Sequence, residues 1–446
     1  MAQHYDVVVV GAGFAGLMAA KTAGEVGLKT ALIEMKHDIT AQRRADTQMI
    51  LPMGEDYLDD RILFNSATGL MSFAHNGLSF KYEGPHRNIY AFHLYSVDGN
   101  CLRFGIAAEQ KKRGDRGRIA IALDKSKAFA SLLNQAQAAG VDVFAGTTVK
   151  DVKKSNGAVN VIAHDKTFIG TFCIAADGAN SRIAQVLGFN KNRGYYSSMN
   201  VLGYYMRNLQ VPDPDTVYYV IAQYEKTGVI TALVPRPYEN EHAVVFICLD
   251  CRVDLFKFYE YFTRETNLPW FKNAEAKLVN SSCGNMWSTI EKPFKDNVLL
   301  VGDTIWCQES ENFGALLSGG KAAMAVAYAL DEGKPNEAGI SSYLEFWDKH
   351  FFNSPHYKRD QIMGNYMLGA ILNNQEIGYL FSKLNMVLKA SIHPYTLFGE
   401  LGQALGGVVP EIQKEMPQVL AGLGRMQQES PADILRDAAS AGFPNR

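Results

Sequence analysis

Six cysteines in 446 residues are too few for a disulfide framework in so long a chain. Only Cys248 and Cys251 have the C-x-x-C spacing, and no second pair accompanies them, so no metal site is expected. They close the apolar run from Ala243 to Leu249 and read as two thiols at a strand end. A reducing cytoplasm fits this usage. The chain also lacks an uncharged apolar stretch long enough to cross a bilayer. The apolar run near its start belongs to a strand, so no signal peptide is expected. Net charge is −2, which gives no general attraction for nucleic acid. Internal repeats and low-complexity segments are missing too. What is present is ordinary for a globular protein, 47% hydrophobic and 20% charged, and long enough for two or three domains.

The chain is organised around its first 34 residues. Val7 to Val10 form a short β-branched apolar run, as a buried parallel strand requires. Gly11-Ala12-Gly13-Phe14-Ala15-Gly16 follows at once, and an alanine-rich helical stretch comes after it. Gly11 permits a tight turn, Gly13 lets backbone approach a pyrophosphate, and Gly16 lets the helix pack close to the strand. The free N–H groups at that helix start suit a phosphate. Thr30 to Ile33 predict the second strand, which Glu34 ends. Glu34 stands 18 residues after Gly16, close to the ~20 expected for the acid that holds a ribose 2′-hydroxyl. Such a carboxylate repels the 2′-phosphate of NADP, but this stretch leaves open which dinucleotide binds.

Beyond Glu34 the segment from Lys36 to Asp46 is polar and irregular, and either arginine, Arg43 or Arg44, is placed to reach cofactor phosphates. Segment 70–105 alternates apolar and polar residues between Gly and Asn turns, which predicts hairpins. Asp124 to Ala139 reads as a helix with Phe129, Leu132 and Leu133 on one face, ended by Gly140. Strands over 148–152, 159–163 and 167–175 complete a small antiparallel unit, followed by Asp177-Gly178 and a helix from about Ser181. Four aromatic-rich strands lie between 195 and 249. Another buried strand, Asn297 to Val301, runs straight into Gly302-Asp303, and a helix with Gly319-Gly320 inside covers Gly314 to Leu330. The last hundred residues read as helical, and the tail from Glu429 as a fraying end. The basic run from Lys111 to Arg118 reads first as a solvated loop, with docking of an acidic electron-transfer partner as the alternative.

Three patches thus stand in order, each behind a strand: Gly11–Gly16 with Glu34, Asp177-Gly178, and Gly302-Asp303. In this order the chain resembles an FAD-dependent oxidoreductase of the glutathione-reductase-like superfamily. More narrowly, it resembles the branch holding para-hydroxybenzoate hydroxylase-type monooxygenases, flavin halogenases, geranylgeranyl reductases and electron-transfer flavoprotein dehydrogenases. The resemblance implies FAD, its ADP part on the first motif and its pyrophosphate and ribityl chain positioned by the other two. Carried residue by residue, it implies cofactor contacts from Gly11, Gly13, Phe14, Ala15, Gly16, Glu34, Met35, Arg43 and Arg44. It adds Lys125, where the family commonly has arginine, and Val149 in a strand whose backbone meets adenine. Ala176, Asp177, Gly178, Gly302, Asp303, Gly314 and Ala315 complete the set. The chain departs from the family between Thr304 and Gly314, where the usual proline and Gly-x-Gly are missing. Ala315-Leu-Leu-Ser318-Gly319 resembles the Ala-Met-Lys-Ser-Gly of the reductase and dehydrogenase members. Neither the halogenase lysine nor a second dinucleotide motif is recognisable.

The expected fold is mixed α/β: a glutathione-reductase-like FAD-binding Rossmann domain with an inserted antiparallel β-sheet substrate domain and a helical C-terminal region. The FAD domain is assigned to 1–70, 105–185 and 285–335, the substrate domain to 71–104 and 186–284, and the helical region to 336–446. The expected function is an FAD-dependent reductase that delivers hydride to a carbon–carbon double bond of an apolar, prenyl-like substrate. A flavin monooxygenase and an electron-transfer flavoprotein–quinone type carrier are the alternatives, and the latter lacks an iron–sulfur cysteine cluster. Expected partners are a lipid-like substrate and an external electron donor, either reduced nicotinamide or a ferredoxin-like protein; nucleic acid is not one. Cys307, Tyr204 and Glu309 are the candidate catalytic proton donors, Cys307 because it follows the Gly-Asp motif and is protonated at neutral pH. Tyr205 and Tyr219 compete with them. The Met-rich stretch from Gln361 to Ala390 reads first as a helix pair packed on the FAD domain. The sharper reading has it wall an apolar channel or rest peripherally on a membrane.

Overall fold

The computed structural model describes residues 3–42, 44–305, 311–354 and 364–442. β1 (His4–Val10) lies in the middle of the main sheet with Val7 to Val10 buried, and Gly11 turns the chain into α1 (Phe14–Glu25). β2 (Thr30–Ile33) returns parallel to β1. After β3 (Met49–Ile50) comes an antiparallel meander of β4 (Ile62–Asn65), β5 (Leu70–Phe73) and β6 (Ser79–Lys81). Its Phe73 and Phe80 sink into the same core as β1. β7 (His86–Ile89), β8 (Ala91–Ser96), β9 (Cys101–Phe104), α2 (Ala107–Lys111) and β10 (Ala120–Leu123) follow, β10 pairing antiparallel with both β3 and β7. α3 (Lys125–Ala138), capped by Asp124, leads to β11 (Asp142–Phe144), which extends the main sheet beyond β2.

β12 (Val149–Ser155), β13 (Ala158–Ala163) and β14 (Thr167–Ala175) are antiparallel neighbours, as expected, but they are not a separate unit. One edge of β14 runs parallel along β1. On its other edge, the first residues pair with β13 and the last, Cys173 to Ala175, pair parallel with the strand Val298–Leu300. Period-2 patterning cannot reveal this, because alternation reports which face of a strand is covered and not which strand lies along each edge. The register is what matters for function. Val10 lies opposite both Ile33 and Ala175, and Ala175 lies opposite Leu300. The carboxyl ends of four strands therefore finish together, and Gly11, Glu34, Ala176 and Val301 emerge at one edge. The crevice outside the carboxyl ends of such strands is where doubly wound sheets bind ligands.

After α4 (Arg182–Val186), β15 (Tyr195–Arg207), β16 (Thr216–Tyr224), β17 (Thr227–Pro235) and β18 (Glu241–Cys248) build a second sheet. α5 (Leu255–Arg264) covers one of its faces, and β19 (Glu275–Trp287) forms one edge. The strand order is β19-β15-β18-β17-β16-β8-β9. Phe258 and Phe262 of α5 pack on Leu202, Tyr204 and Phe246 of this sheet. β20 (Phe294–Lys295) and β21 (Val298–Leu300) bring the chain back to the main sheet, and α6 (Glu311–Asp331) crosses it. α6 alone among the described helices is long and apolar enough to span a bilayer, yet 67% of that window is buried inside the protein.

The helical end comprises α7 (Ser341–Trp347), α8 (Gly364–Ile371) and α9 (Asn374–Lys383), then β22 (Val387–Leu388) added beside β9. α10 (Pro394–Glu415), α11 (Pro417–Gln428) and α12 (Pro431–Gly442) close it. α8 and α9 do not lie on the cofactor half, as the sequence reading favoured. Leu368, Leu372, Ile377 and Phe381 pack with Phe92, Phe104 and Val217 of the second sheet. The tail does not fray at Glu429 either. Ile434 and Leu435 are buried with Met286 and Met367, and each such burial stabilises by about 1.5–3 kcal/mol, enough to hold a short helix down.

Candidate cofactor and active site

Gly11 adopts φ +98°, and a Cβ there would lie 2.3 Å from the Ala176 carbonyl oxygen. At Gly16 a Cβ would lie 1.8 Å from the Gly11 carbonyl oxygen. These two glycines bind turn, helix and β14 together at backbone distance. Gly13 differs: it is the N-cap of α1, and nothing lies within 4 Å of where its Cβ would stand. No side chain caps α1 and its first turn holds no acid, so no protein side chain takes the place an anion would fill at that helix start. Phe14 and Ala15 form that first turn; Phe14 stacks edge-on against Phe129 of α3 at 5.1 Å. Glu34 is 7% exposed and accepts the N–H of Ala12 at 2.7 Å and of Lys36 at 2.9 Å. This pins the carboxylate beside the glycine turn. Met35 after it is exposed, and Val149 opens β12 just past a loop whose Thr147 N–H donates to the Glu34 carbonyl.

The second and third motifs meet the first and each other. Ala176 donates its N–H to the Val10 carbonyl, and Gly178, at φ +85°, donates its N–H to the Thr304 hydroxyl at 3.1 Å. Asp177 turns inward: its carboxylate accepts the Ser181 hydroxyl at 2.6 Å and the Ile183 N–H at 3.1 Å, capping α4. Burial pushes its carboxyl above the ordinary range against the pull of these bonds. It therefore shapes the Gly178 turn, while its backbone neighbour faces the cradle. Gly302, at φ +58°, sets its α-carbon against Ala15, where a Cβ would come within 2.8 Å of the Ala15 Cβ. Its N–H donates to Ser318 Oγ of α6, beside Gly314 and Ala315. Gly319 lets α6 touch α1, since a Cβ there would lie 2.1 Å from the Ala15 carbonyl oxygen. Asp303 is exposed and faces Arg44 across 3.9 Å, and the same guanidinium lies over Gly178.

A second cluster borders this cradle. Lys125 at the start of α3 pairs with Asp46, donates to Asn312 Oδ1 at 3.1 Å, and lies 5.2 Å from the Phe14 ring centre. Glu311 opens α6 at φ +43°. Burial, with the negative charges of Asp46 and Asp303, pushes its carboxyl up to about 8 against the pull of Lys125. Gln48 accepts the Lys125 N–H and donates from Nε2 to the Tyr205 hydroxyl. The Arg236 guanidinium lies 3.5 Å over the Tyr205 ring and is paired with Glu241 at 2.7 Å.

Arg43, Cys307 and Glu309 lie outside the described residues. Tyr204 packs against α5. Its ring stacks on Tyr259 of α5 at 4.6 Å, on the face of the second sheet turned away from the cradle. Side chains alternate along a strand, so Tyr205 takes the other face. The sequence reading passed over Asp46, Gln48, Arg236, Glu311 and Asn312. Nothing local marks them, since they converge from segments scattered over the whole chain.

Comparisons with known proteins give the family and the fold. The FAD binding domain family matches residues 4–308. Digeranylgeranylglycerophospholipid reductase 1 of Methanosphaera stadtmanae is 24% identical over 358 residues, which cover 78% of this chain and 81% of that protein. Digeranylgeranylglycerophospholipid reductase 2 of the same organism is 22% identical over 94% of this chain and 99% of its own length. Among solved structures, a geranylgeranyl bacteriochlorophyll reductase-like protein of Thermoplasma acidophilum superposes with a TM-score of 0.69 at 18% identity, covering 96% of this chain and 100% of that one. The p-nitrophenol 4-monooxygenase of Pseudomonas putida gives 0.63 at 12%, covering 90% and 99%. At these identities the structural likenesses speak for the fold.

Proposed function

The chain belongs to the FAD binding domain family and is an FAD-dependent oxidoreductase; from that premise we propose that it reduces a carbon–carbon double bond of an apolar, prenyl-like lipid. Gly11, Gly13 and Gly16 with the start of α1 take the pyrophosphate, and Glu34 takes the ribose hydroxyls of the ADP part. The backbone at Val149 meets adenine. Gly178, Asp303 and Arg44 flank the ribityl and phosphate chain, and Gly314 and Ala315 border the ring. When bound in its reduced form, FAD supplies a hydride. An external donor, reduced nicotinamide or a ferredoxin-like protein, restores it.

The observation that carries the substrate class is the apolar wall beside the cradle. Val201, Ala232 and Val245 form a cluster on the inner face of the second sheet, with Met199, Tyr219, Ile247 and Ala45 against it. Ala45 adjoins Arg44, so this wall begins one residue from the group that faces Asp303. Apolar walls with few polar groups are what an apolar ligand needs. The reductase relatives, named for their action on digeranylgeranylglycerophospholipids, support the same class.

The test is anaerobic. Photoreduced enzyme is mixed with a glycerophospholipid bearing geranylgeranyl chains, and products are weighed by mass spectrometry. A gain of two hydrogens per reduced bond with return of oxidised flavin is expected. Intact double bonds anaerobically, with an added oxygen atom under air, would replace the reductase by a monooxygenase.

A further inference from the structure

We propose that Tyr205 is the proton donor of the reduction, and this rests on the reductase reading above. The argument begins with the Gln48 amide. Its Oε1 accepts the backbone N–H of Lys125 at 3.3 Å, which fixes which end of the amide is oxygen. Nε2 must then face Tyr205, so the phenol oxygen is the acceptor in that bond. Among the described residues the Tyr205 proton is donated to no protein group. Arg236 locks the ring plane at 3.5 Å, itself held by Glu241. A cation there is also a counter-charge to the phenolate left after donation.

Position completes the case. A Cβ at Gly203, two residues before Tyr205 on the same face, would lie 2.7 Å from the Ala45 Cβ. This stretch of β15 therefore touches segment 44–48. One end of that segment, Arg44, faces Asp303, and the other, Gln48, holds Tyr205. Tyr205 stands at the seam between cofactor cradle and apolar wall, with Val201 on its own strand face. In the step, the alkene π bond is replaced by two C–H bonds. One hydrogen arrives as the hydride of the reduced cofactor and the other as the Tyr205 proton. The cofactor is oxidised by two electrons, and the phenolate recovers a proton from water.

The experiment compares wild type, Tyr205→Phe, Gln48→Leu and Cys307→Ala as FAD-loaded full-length proteins, using the geranylgeranyl glycerophospholipid in detergent micelles. FAD affinity, melting temperature, photoreduction, lipid binding to the oxidised enzyme and anaerobic reoxidation rate are all measured. Tyr205→Phe is expected to leave the first four unchanged and to slow reoxidation about 10²-fold or more, the scale of a lost general acid. Gln48→Leu, which removes the bond to the Tyr205 hydroxyl together with the acceptor for the Lys125 N–H, is expected to lower the turnover number by less and to leave lipid KM unchanged. Wild-type reoxidation in Tyr205→Phe overturns the assignment. So does a rate loss matched by lost lipid binding. A hundredfold loss confined to Cys307→Ala gives the role to the thiol instead. If wild type itself leaves every double bond intact, the reductase reading fails and this role with it; that failure shows in the unmutated enzyme and cannot be mistaken for the others.

Discussion

Gly13→Ala separates binding from folding at the first motif. At this position the backbone has φ −80°, which alanine adopts freely, and no atom lies within 4 Å of the new methyl. Exchanging glycine for alanine at an N-cap costs the fold about 1 kcal/mol or less. The open space is where a pyrophosphate would meet the N–H groups of α1, and a methyl there holds the phosphate off. One or two charge-assisted hydrogen bonds, at about 1.5–3 kcal/mol each, would be lost. That predicts a rise in Kd for FAD of about tenfold to ten-thousandfold or more. Gly16→Ala has the opposite signature. Its methyl would lie 1.8 Å from the Gly11 carbonyl oxygen and 3.2 Å from the Ala176 Cβ, so the fold itself must shift. Overpacking of this kind costs about 1–3 kcal/mol or more. Apo-protein melting curves and quenching of flavin fluorescence on titration read the two effects separately. A Gly13→Ala protein that binds FAD as tightly as wild type would refute the assignment of this gap to the pyrophosphate.

Other outcomes follow from the buried titratable groups and the tail. Glu311, with its carboxyl raised to about 8, stabilises the cofactor-free protein fully below the ordinary glutamate range and loses that contribution as pH rises through 8. Glu311→Gln should flatten the fall of melting temperature between pH 5 and pH 9 measured by scanning fluorimetry; an unchanged slope counts against it. His242 is 3% exposed, and burial with the nearby Arg87 charge lowers it to about 4 against the pull of Asp215. Its contribution is therefore present above about 6.5 and is lost as pH falls toward 4, by up to about 3 kcal/mol. His242→Phe should blunt acid unfolding followed by circular dichroism, and equal acid midpoints would dismiss the idea. Ile434→Asp buries a charge where an apolar side chain packs on Met286 and Met367, so α12 should detach and become open to proteolysis. A digestion pattern like that of wild type would show that the helix is held by something else.

Much of the cofactor half was legible because its rules are local. A β-branched run, glycines at fixed offsets and an acid 18 residues on predict strand, turn, helix and strand without knowledge of the rest. Asp124, Ser181 and Asp254 sit at helix starts because each caps its own backbone a few residues away. The order of the three motifs was enough to imply an extended flavin dinucleotide. Only the tertiary structure decided how those patches meet. It placed Val10, Ile33, Ala175 and Leu300 side by side in register, and it turned the Asp177 carboxylate inward to cap α4. It also set Tyr204 and Tyr205 on opposite faces of the second sheet. Adjacent residues of a strand are equivalent in sequence, and only the packing of α5 against one face says which of the two is stacked on Tyr259 and which reaches Gln48. Lys125 and Tyr205 were named from the sequence, but their convergence with Asp46, Gln48, Arg236 and Glu311 has no sequence signal, because the six come from five separate segments. The tail obeys the same logic: Ile434 and Leu435 look like part of a loose end until the apolar surface around Met286 and Met367 is there to bury them.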